Sequence, residues 1–292
     1  MPQSSRSLGL LLGLVGVLFF GGAIPATRAA VAHLDPWFAT AARAAIAGVL
    51  ALGVLAVRRR PLPRRDLPRL ALIGIFLVAG FPAMLALASV SVPAAHAGVV
   101  LGLLPLATAI AAVALAGERP SLFFWILSLA GAALVAAFAL RDGNVAVVTG
   151  DLFLVVAVTM TGIGYTISAV LSRSMPGWEV ISWALVLCLP FALLAIFLLW
   201  PADAATVPLS SWLGVIYIGV FAQFLAYSFW NAALAIGGVA RIGQLQLVQP
   251  FVSIGLAALF LHETIDAEMI GFALAVVAVV ALGRRAAIGQ RR

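Results

Sequence analysis

Four polar or aromatic side chains recur at helical spacing within one long apolar segment, and their chemistry suits the binding of a small solute. They are Gln223, Tyr227, Trp230 and Asn231. At about 100° per residue these positions fall within an arc of roughly 100°, so they are predicted to share one face of a helix. The rings could stack on an apolar group while the amides bond its polar groups. The alternative is that the amides only hydrogen-bond neighbouring helices.

A second group of amides lies in the stretch GQLQLVQP, residues 243–250. Gln246 and Gln249 are three residues apart and share a face of a helix, whereas Gln244 lies on the far side and is predicted to pack or to gate. Pro250 has no N–H and leaves a carbonyl free one turn earlier. The stretch could therefore line a cavity with donors and acceptors, or form a purely structural ladder of amides.

Two more aromatic residues, Phe20 and Tyr165, are predicted to line the same cavity, with core packing as the alternative. His96 and Arg241 occupy equivalent positions in two similar segments. They could act as gates on opposite sides, and either could meet the carboxylate of an amino acid. For Arg241 a contact with lipid headgroups is the alternative.

Charged side chains within apolar segments form a further set, because such residues in a membrane are functional by default. Arg43 could pair with Asp35, with backbone carbonyls or with a substrate. Glu118 and Glu263 each end an apolar segment and are predicted to have a structural role.

The elements that must position these residues are membrane-spanning helices. The 292 residues are 64% hydrophobic and only 9% charged, far from the composition of soluble domains. A helix needs about 20 apolar residues to cross a bilayer, and ten such segments are predicted. We number them spans one to ten, at residues 8–30, 36–57, 69–90, 93–116, 121–140, 150–172, 178–200, 210–236, 240–261 and 267–284.

The first segment, Met1 to Ala32, could also be a cleaved signal peptide, but nine further spans favour an uncleaved first helix. All 17 basic residues are arginines, and with these spans all but Arg28, Arg43 and Arg141 fall on one side. Since positive charge is retained in the cytoplasm, both termini are predicted to be cytoplasmic. The single Cys188 excludes an internal disulfide.

An internal repeat covers most of the chain. GVVLGLLPLATAIAAVALAGE, residues 98–118, matches GQLQLVQPFVSIGLAALFLHE, residues 243–263, at an offset of 145 that pairs Pro105 with Pro250 and Glu118 with Glu263. We predict two five-helix repeats, residues 1–145 and 146–292. Because five is odd, the second repeat must be inverted, as in many transporters with a central substrate site.

These features resemble the drug/metabolite transporter superfamily in its ten-helix EamA-type branch. The resemblance rests on the P-x12-E spacing that ends spans four and nine, on Phe38-x4-Arg43-x3-Ala47, and on the duplicated unit. It implies an all-α polytopic membrane protein, with ten helices around a central cavity that opens alternately to each side. It also favours a structural role for Arg43. Within the branch the chain is most similar to inner-membrane exporters of aromatic amino acids.

One departure from the superfamily bears on the mechanism. Its four-helix multidrug members carry an essential glutamate in the first helix, which exchanges protons for cationic drugs. Span one of this chain contains no Asp or Glu. The resemblance therefore does not extend to cation efflux by that mechanism.

Together these observations predict a bacterial inner-membrane protein that exports amino acids, with aromatic and hydrophobic ones favoured, and related metabolites by alternating access. The lack of a carboxylate along the predicted path favours facilitated transport, although His96 could titrate near neutrality. The alternative is efflux of organic cations, drugs or other small metabolites by proton-coupled antiport.

Other classes of protein fit the sequence less well. An enzyme is not expected, because no His-Glu-x2-His or Gly-x-Ser-x-Gly pattern occurs. A receptor or scaffold would not require an inverted repeat. We expect no metal, no cofactor and no nucleic-acid partner. The expected partners are a small-molecule substrate and the lipid bilayer around a monomer.

Overall fold

The computed structural model of the chain describes residues 3–116, 118–140, 145–172, 174–237, 245, 248–285 and 288–290. Helices dominate it. Seven described helices are long and apolar enough to cross a membrane. Three further apolar helices, at spans five, nine and ten, complete the set of ten. The helices are Gln3–Val31, Pro36–Val57, Leu67–Ile73, Phe81–Ser91, Ala94–Leu101, Leu104–Ala116, Leu122–Leu140, Val145–Leu171, Gly177–Leu198, Leu209–Tyr217, Ala226–Gly237, Gln249–Leu261 and Ala267–Arg285.

The packing of the spans follows the inverted repeat. Span one packs against spans eight and nine of the other half, and its counterpart, span six, packs against spans three and four. Spans two and seven pack against each other, as do four and nine, and five and ten. Exchanging each span for its counterpart therefore reproduces the same set of neighbours. The all-α fold is two inverted five-helix repeats around a central cavity, as the sequence predicted.

Spans three and eight share an irregularity at equivalent positions. Residues Gly74–Gly80 and Ile218–Leu225 each form a π-helical segment between two α-helices. At the end of each segment a backbone N–H reaches five residues back, from Phe81 to the carbonyl of Phe76 and from Ala226 to that of Phe221. Such π-helical turns are rare and often lie at functional sites.

Close helix contacts explain several of the glycines. A Cβ on Gly98 would lie 3.2 Å from Cβ of Ser253, and one on Gly102 would lie 3.4 Å from Cγ of Pro250. The Gly98-x3-Gly102 pair therefore brings span four against span nine, as small residues at this spacing often do in membranes. In span one, a Cβ on Gly16 would lie 3.3 Å from the backbone of Trp230.

The outer surface of the bundle is apolar, as a bilayer requires. Span seven exposes Phe191, Phe197 and Leu198, and the exposed fraction of Phe197 is 80%. Buried residues such as Leu70, Ile73, Leu85 and Leu185 fill the interior between the spans. The interior is thus apolar as in a soluble protein, whereas the many large apolar side chains on the outer surface fit a lipid environment.

One short antiparallel pair of strands stands apart from the helices. Glu118–Pro120, which follows span four, pairs with Ile288–Gln290, which follows span ten, with Arg119 opposite Gly289. The pairing places these two segments on the same side of the membrane. Six spans lie between them, and an even number returns the chain to that side.

Candidate functional site

A small cavity lies at the interface between the two halves. Its volume is about 20 Å³, room for roughly one water molecule. Seven spans contribute to its wall, four from the first half and three from the second. The described residues that line it are Phe20, Ala23, Ile24, Arg43, Phe81, Leu85, Leu101, Leu104, Thr161, Tyr165, Ala222, Tyr227 and Gln249.

Aromatic rings from three spans meet at this cavity. The ring of Tyr227 lies edge-on to Phe20, with centroids 5.0 Å apart, and to Tyr165, with centroids 6.0 Å apart. Such perpendicular arrangements match the positive edge of one ring to the negative face of the next. Spans one, six and eight thus bring together three of the residues predicted to bind substrate.

Arg43 lies among these rings as the one charged side chain in the described lining of the cavity. Only 2% of the residue is exposed. Its Nη2 donates to Oε1 of Gln223 at 2.7 Å. The predicted alternative, a pair with Asp35, is wrong. Oδ1 of Asp35 instead accepts the backbone N–H groups of Trp37 and Phe38, at 2.8 and 3.0 Å, and so caps its own helix.

Gln223 links Arg43 to the π-helical segment of span three. Its Nε2 donates to the carbonyl of Leu77 at 3.2 Å. Five residues after Leu77, at the spacing of a π-helical hydrogen bond, stands Pro82, which has no N–H to offer that carbonyl. The fully buried amide therefore has both ends engaged. Gln223 orients Arg43, and a direct contact between Gln223 and substrate stays a prediction.

The remaining two residues of the predicted face on span eight lie outside the lining of the cavity. Trp230 is buried behind Phe20, with ring centroids 6.4 Å apart. Asn231 donates from Nδ2 to the carbonyl of Gly177 at 2.8 Å, which ties span eight to the start of span seven. In this conformation both residues support the wall of the cavity from behind.

His96 also lies outside the lining and pairs across the two halves. Its Nε2 is 2.9 Å from Oδ1 of Asp151, and both residues are buried. The pair joins the start of span four to the start of span six. Oδ2 of Asp151 has no hydrogen-bond partner among the described residues.

Glu263, predicted to be structural, makes three contacts with the first half. Its carboxylate accepts the backbone N–H groups of Ala94 and Ala95, both at 2.9 Å, and lies 3.2 Å from Nε of Arg28. It therefore satisfies free N–H groups at the start of span four, where a negative charge also suits the helix dipole.

Several predicted residues fall wholly or partly outside the described residues. Gln246 and Arg241 are not described, nor is the side chain of Glu118. Gln249 is half-buried, lines the cavity and begins the helix that continues with Pro250. The predicted face shared by Gln246 and Gln249 thus stays a prediction.

Sequence reasoning gave no functional role to Arg28 or Asp151. In the structure each of them pairs across the two halves. For Arg28 the repeat contains a signal, because the offset of 145 pairs this residue with another arginine, Arg173. The same offset pairs Asp151 with Arg6 in sequence, and this correspondence does not indicate that Asp151 has a buried partner.

The arrangement at the cavity is suited to binding a small molecule. Within the described residues no group of three or more His, Cys, Asp or Glu side chains could hold a metal ion. The wall of the cavity combines apolar rings, a guanidinium and a few neutral polar groups. Such a surface can hold a molecule that has an apolar ring at one end and a polar group at the other.

Comparison with known proteins agrees with this architecture. The model of the EamA-like transporter family matches the chain twice, at residues 7–139 and 148–284. The uncharacterized transporter YdeK of Bacillus subtilis (strain 168) is 45% identical over 278 residues, which cover 95% of this chain and 97% of YdeK. One protein of known crystal structure has the same fold, with a TM-score of 0.63 and 21% sequence identity. The match covers 95% of this chain and 96% of the other. The chain therefore belongs to the EamA-like transporter family and is a multi-pass membrane transporter.

Proposed function

We propose that this transporter exports amino acids with aromatic or hydrophobic side chains, and related metabolites, by alternating access. The observation that carries this proposal is the aromatic cavity at the interface of the halves, where Phe20, Tyr165 and Tyr227 meet beside Arg43. Three rings can pack on an apolar side chain, and the polar groups of the wall can hold a zwitterion. No bond is made or broken in such a process.

The size of the cavity supports movement of the two halves. A volume of about 20 Å³ holds roughly one water molecule and no amino acid. The spans must therefore separate to admit a substrate. We propose that residues 1–145 and 146–292 are the units that move, each opening one side of the membrane, because inverted repeats give two equivalent ways to open.

The described wall of the cavity contains no carboxylate, which supports facilitative transport. A proton-coupled antiporter of organic cations, the other candidate from the sequence, would need an acidic group that binds cation and proton in turn. In the described lining the charged group is Arg43, which repels cations. This feature favours amino acids over organic cations.

We further propose that the protein acts as a monomer in the bacterial inner membrane, with both termini in the cytoplasm. The distribution of arginines supports this orientation. A reporter that is active only in the cytoplasm, fused after Arg292, should be active. Activity of a periplasmic reporter at the same position would refute the orientation.

The substrate is tested by flux in proteoliposomes. Purified protein should transport labelled tryptophan, phenylalanine and leucine faster than empty liposomes, with no increase when a pH gradient is imposed. A labelled quaternary ammonium compound should neither be transported nor compete. Transport of that compound without any amino acid flux would overturn the proposal, and acceleration by a pH gradient would refute the facilitative mechanism.

A further inference from the structure

The guanidinium of Arg43 keeps donors free inside the protein. Nη2 bonds Gln223, whereas Nε and Nη1 have no acceptor among the described residues. The residue is 98% removed from solvent, since its exposed fraction is 2%, and it lines the cavity. A buried donor without a partner is unusual, because leaving it unsatisfied costs more than a hydrogen bond to it gains.

The charge of Arg43 is also without a counter-ion among the described acidic residues. The acids with described pairs contact other residues: Glu263 pairs with Arg28, Glu179 with Arg60, Asp66 with Arg69, and Asp151 with His96. The only side-chain hydrogen-bond partner described for Arg43 is the neutral amide of Gln223. An ionised group held inside a protein without an opposite charge is strongly unfavourable.

The site is nevertheless built to hold the guanidinium in place. Gln223 cannot turn its oxygen away without losing its own bond from Nε2 to the carbonyl of Leu77. This link joins both halves, with Arg43 and Leu77 in the first and Gln223 in the second. A fixed cation with unused donors beside aromatic rings points to an anionic partner that arrives with the substrate.

We propose that the guanidinium donors of Arg43 that Gln223 leaves free bind the carboxylate of the substrate and that Arg43 thereby determines specificity. Charge-assisted bonds from a guanidinium to a carboxylate are roughly twice as strong as neutral ones. The ring of the substrate lies against Phe20, Tyr165 and Tyr227 at the same cavity. The substrate class is accordingly a carboxylate attached to an apolar or aromatic group. This inference rests on the proposed function and defines which end of the molecule is recognised.

Three labelled indole compounds test the proposal with the wild-type protein alone. Tryptophan has a carboxylate and an amine, indole-3-propionate has only the carboxylate, and tryptamine has only the amine. Proteoliposomes should transport tryptophan, and unlabelled indole-3-propionate should inhibit that flux. Tryptamine should neither be transported nor inhibit the flux of tryptophan. Equal transport of tryptophan and tryptamine would overturn the proposal. Flux of indole-3-propionate without any amino acid flux would refute the proposed function and leave the carboxylate site standing.

Variants of Arg43 test the residue itself. In Arg43→Gln the KM for tryptophan should rise about 10-fold or more, since a bond to a charged group is lost. Arg43→Lys keeps the charge, so its KM should lie between those of wild type and Arg43→Gln. Arg69→Gln, which changes an exposed arginine outside the cavity, is the matched control and should leave KM unchanged. An unchanged KM in Arg43→Gln would overturn the assignment.

Thermal stability separates this role from a structural one. The variant Arg43→Met removes the cation and leaves the bond from Gln223 to the carbonyl of Leu77 in place. If Arg43 serves the substrate, the empty protein should melt at the same temperature as wild type or higher, because a buried charge without a counter-ion is unfavourable. Tryptophan should raise the melting temperature of wild type and fail to raise that of Arg43→Met. A large loss of stability together with a retained shift by tryptophan would show that Arg43 is structural.

Discussion

The carboxylate of Glu263, at the end of span nine, lies 3.2 Å from Nε of Arg28, at the end of span one. The same arginine donates from Nη1 to the carbonyls of Ser89 and Val92, at 3.0 and 2.6 Å. Arg28 and Glu263 thus satisfy both sides of the turn between spans three and four, carbonyls on one side and N–H groups on the other. A residue of the second half thereby organises a turn of the first.

Loss of the charge at Glu263 should destabilise this junction. In Glu263→Gln the two N–H bonds at Ala94 and Ala95 weaken and the pair with Arg28 is lost. We expect a loss of about 1.5–3 kcal/mol, the range for hydrogen bonds to a charged group. The measurement is the melting temperature in detergent, with the exposed Asp203→Asn as control. Equal melting temperatures for both variants would contradict this role.

A covalent cross-link between the two halves should stop transport. We expect a disulfide between Cys residues placed at Gly98 and Ser253, whose Cβ atoms would lie 3.2 Å apart, in a Cys188→Ala background, to stop flux by holding span four against span nine. Reduction should restore the flux, because alternating access requires the halves to separate there. Each single cysteine variant under the same oxidant is the control. Unimpaired flux in fully cross-linked protein would show that this contact does not open during transport.

The buried pair of His96 and Asp151 should behave as one unit in stability. His96→Leu leaves the carboxylate buried without its partner, and we expect a cost of about 3–5 kcal/mol. The double variant His96→Leu, Asp151→Leu should recover part of that loss. A double-mutant cycle on melting temperatures measures the coupling. Additive effects of the two substitutions would mean that the 2.9 Å contact contributes nothing.

Gly214 should tolerate no side chain. A Cβ there would lie 2.6 Å from the carbonyl oxygen of Ala26 and 3.0 Å from N of Ala30, backbone atoms that cannot move aside easily. Gly214→Ala should push span eight from span one and lower the melting temperature. Gly53→Ala is the matched control, because nothing lies within 4 Å of its Cβ, and it should stabilise its helix by about 0.5–1 kcal/mol. If Gly214→Ala were more stable than Gly53→Ala, this packing would be contradicted.

The predicted face on span eight shows where sequence reasoning reached its limit. It assumed about 100° per residue from Gln223 to Asn231, but Gln223 lies in the π-helical segment Ile218–Leu225. A π-helix has more residues per turn, so each residue advances by a smaller angle. This changes the direction of Gln223 relative to the other three residues, which lie in the α-helix Ala226–Gly237. Tyr227 lines the cavity, Gln223 orients Arg43, and Trp230 and Asn231 support the wall.

By itself the sequence determined the ten spans, the inverted repeat and the transporter family. Each depends on local composition or on periodic spacing, because a bilayer imposes the same length and apolar character on every span. Only the tertiary structure decided which charges meet. Arg43 and Gln223 are 180 residues apart, and Arg28 and Glu263 lie in different halves. Whether a buried cation faces a carboxylate, an amide or an open cavity depends on how two helices are rotated against each other, which no spacing along one helix specifies.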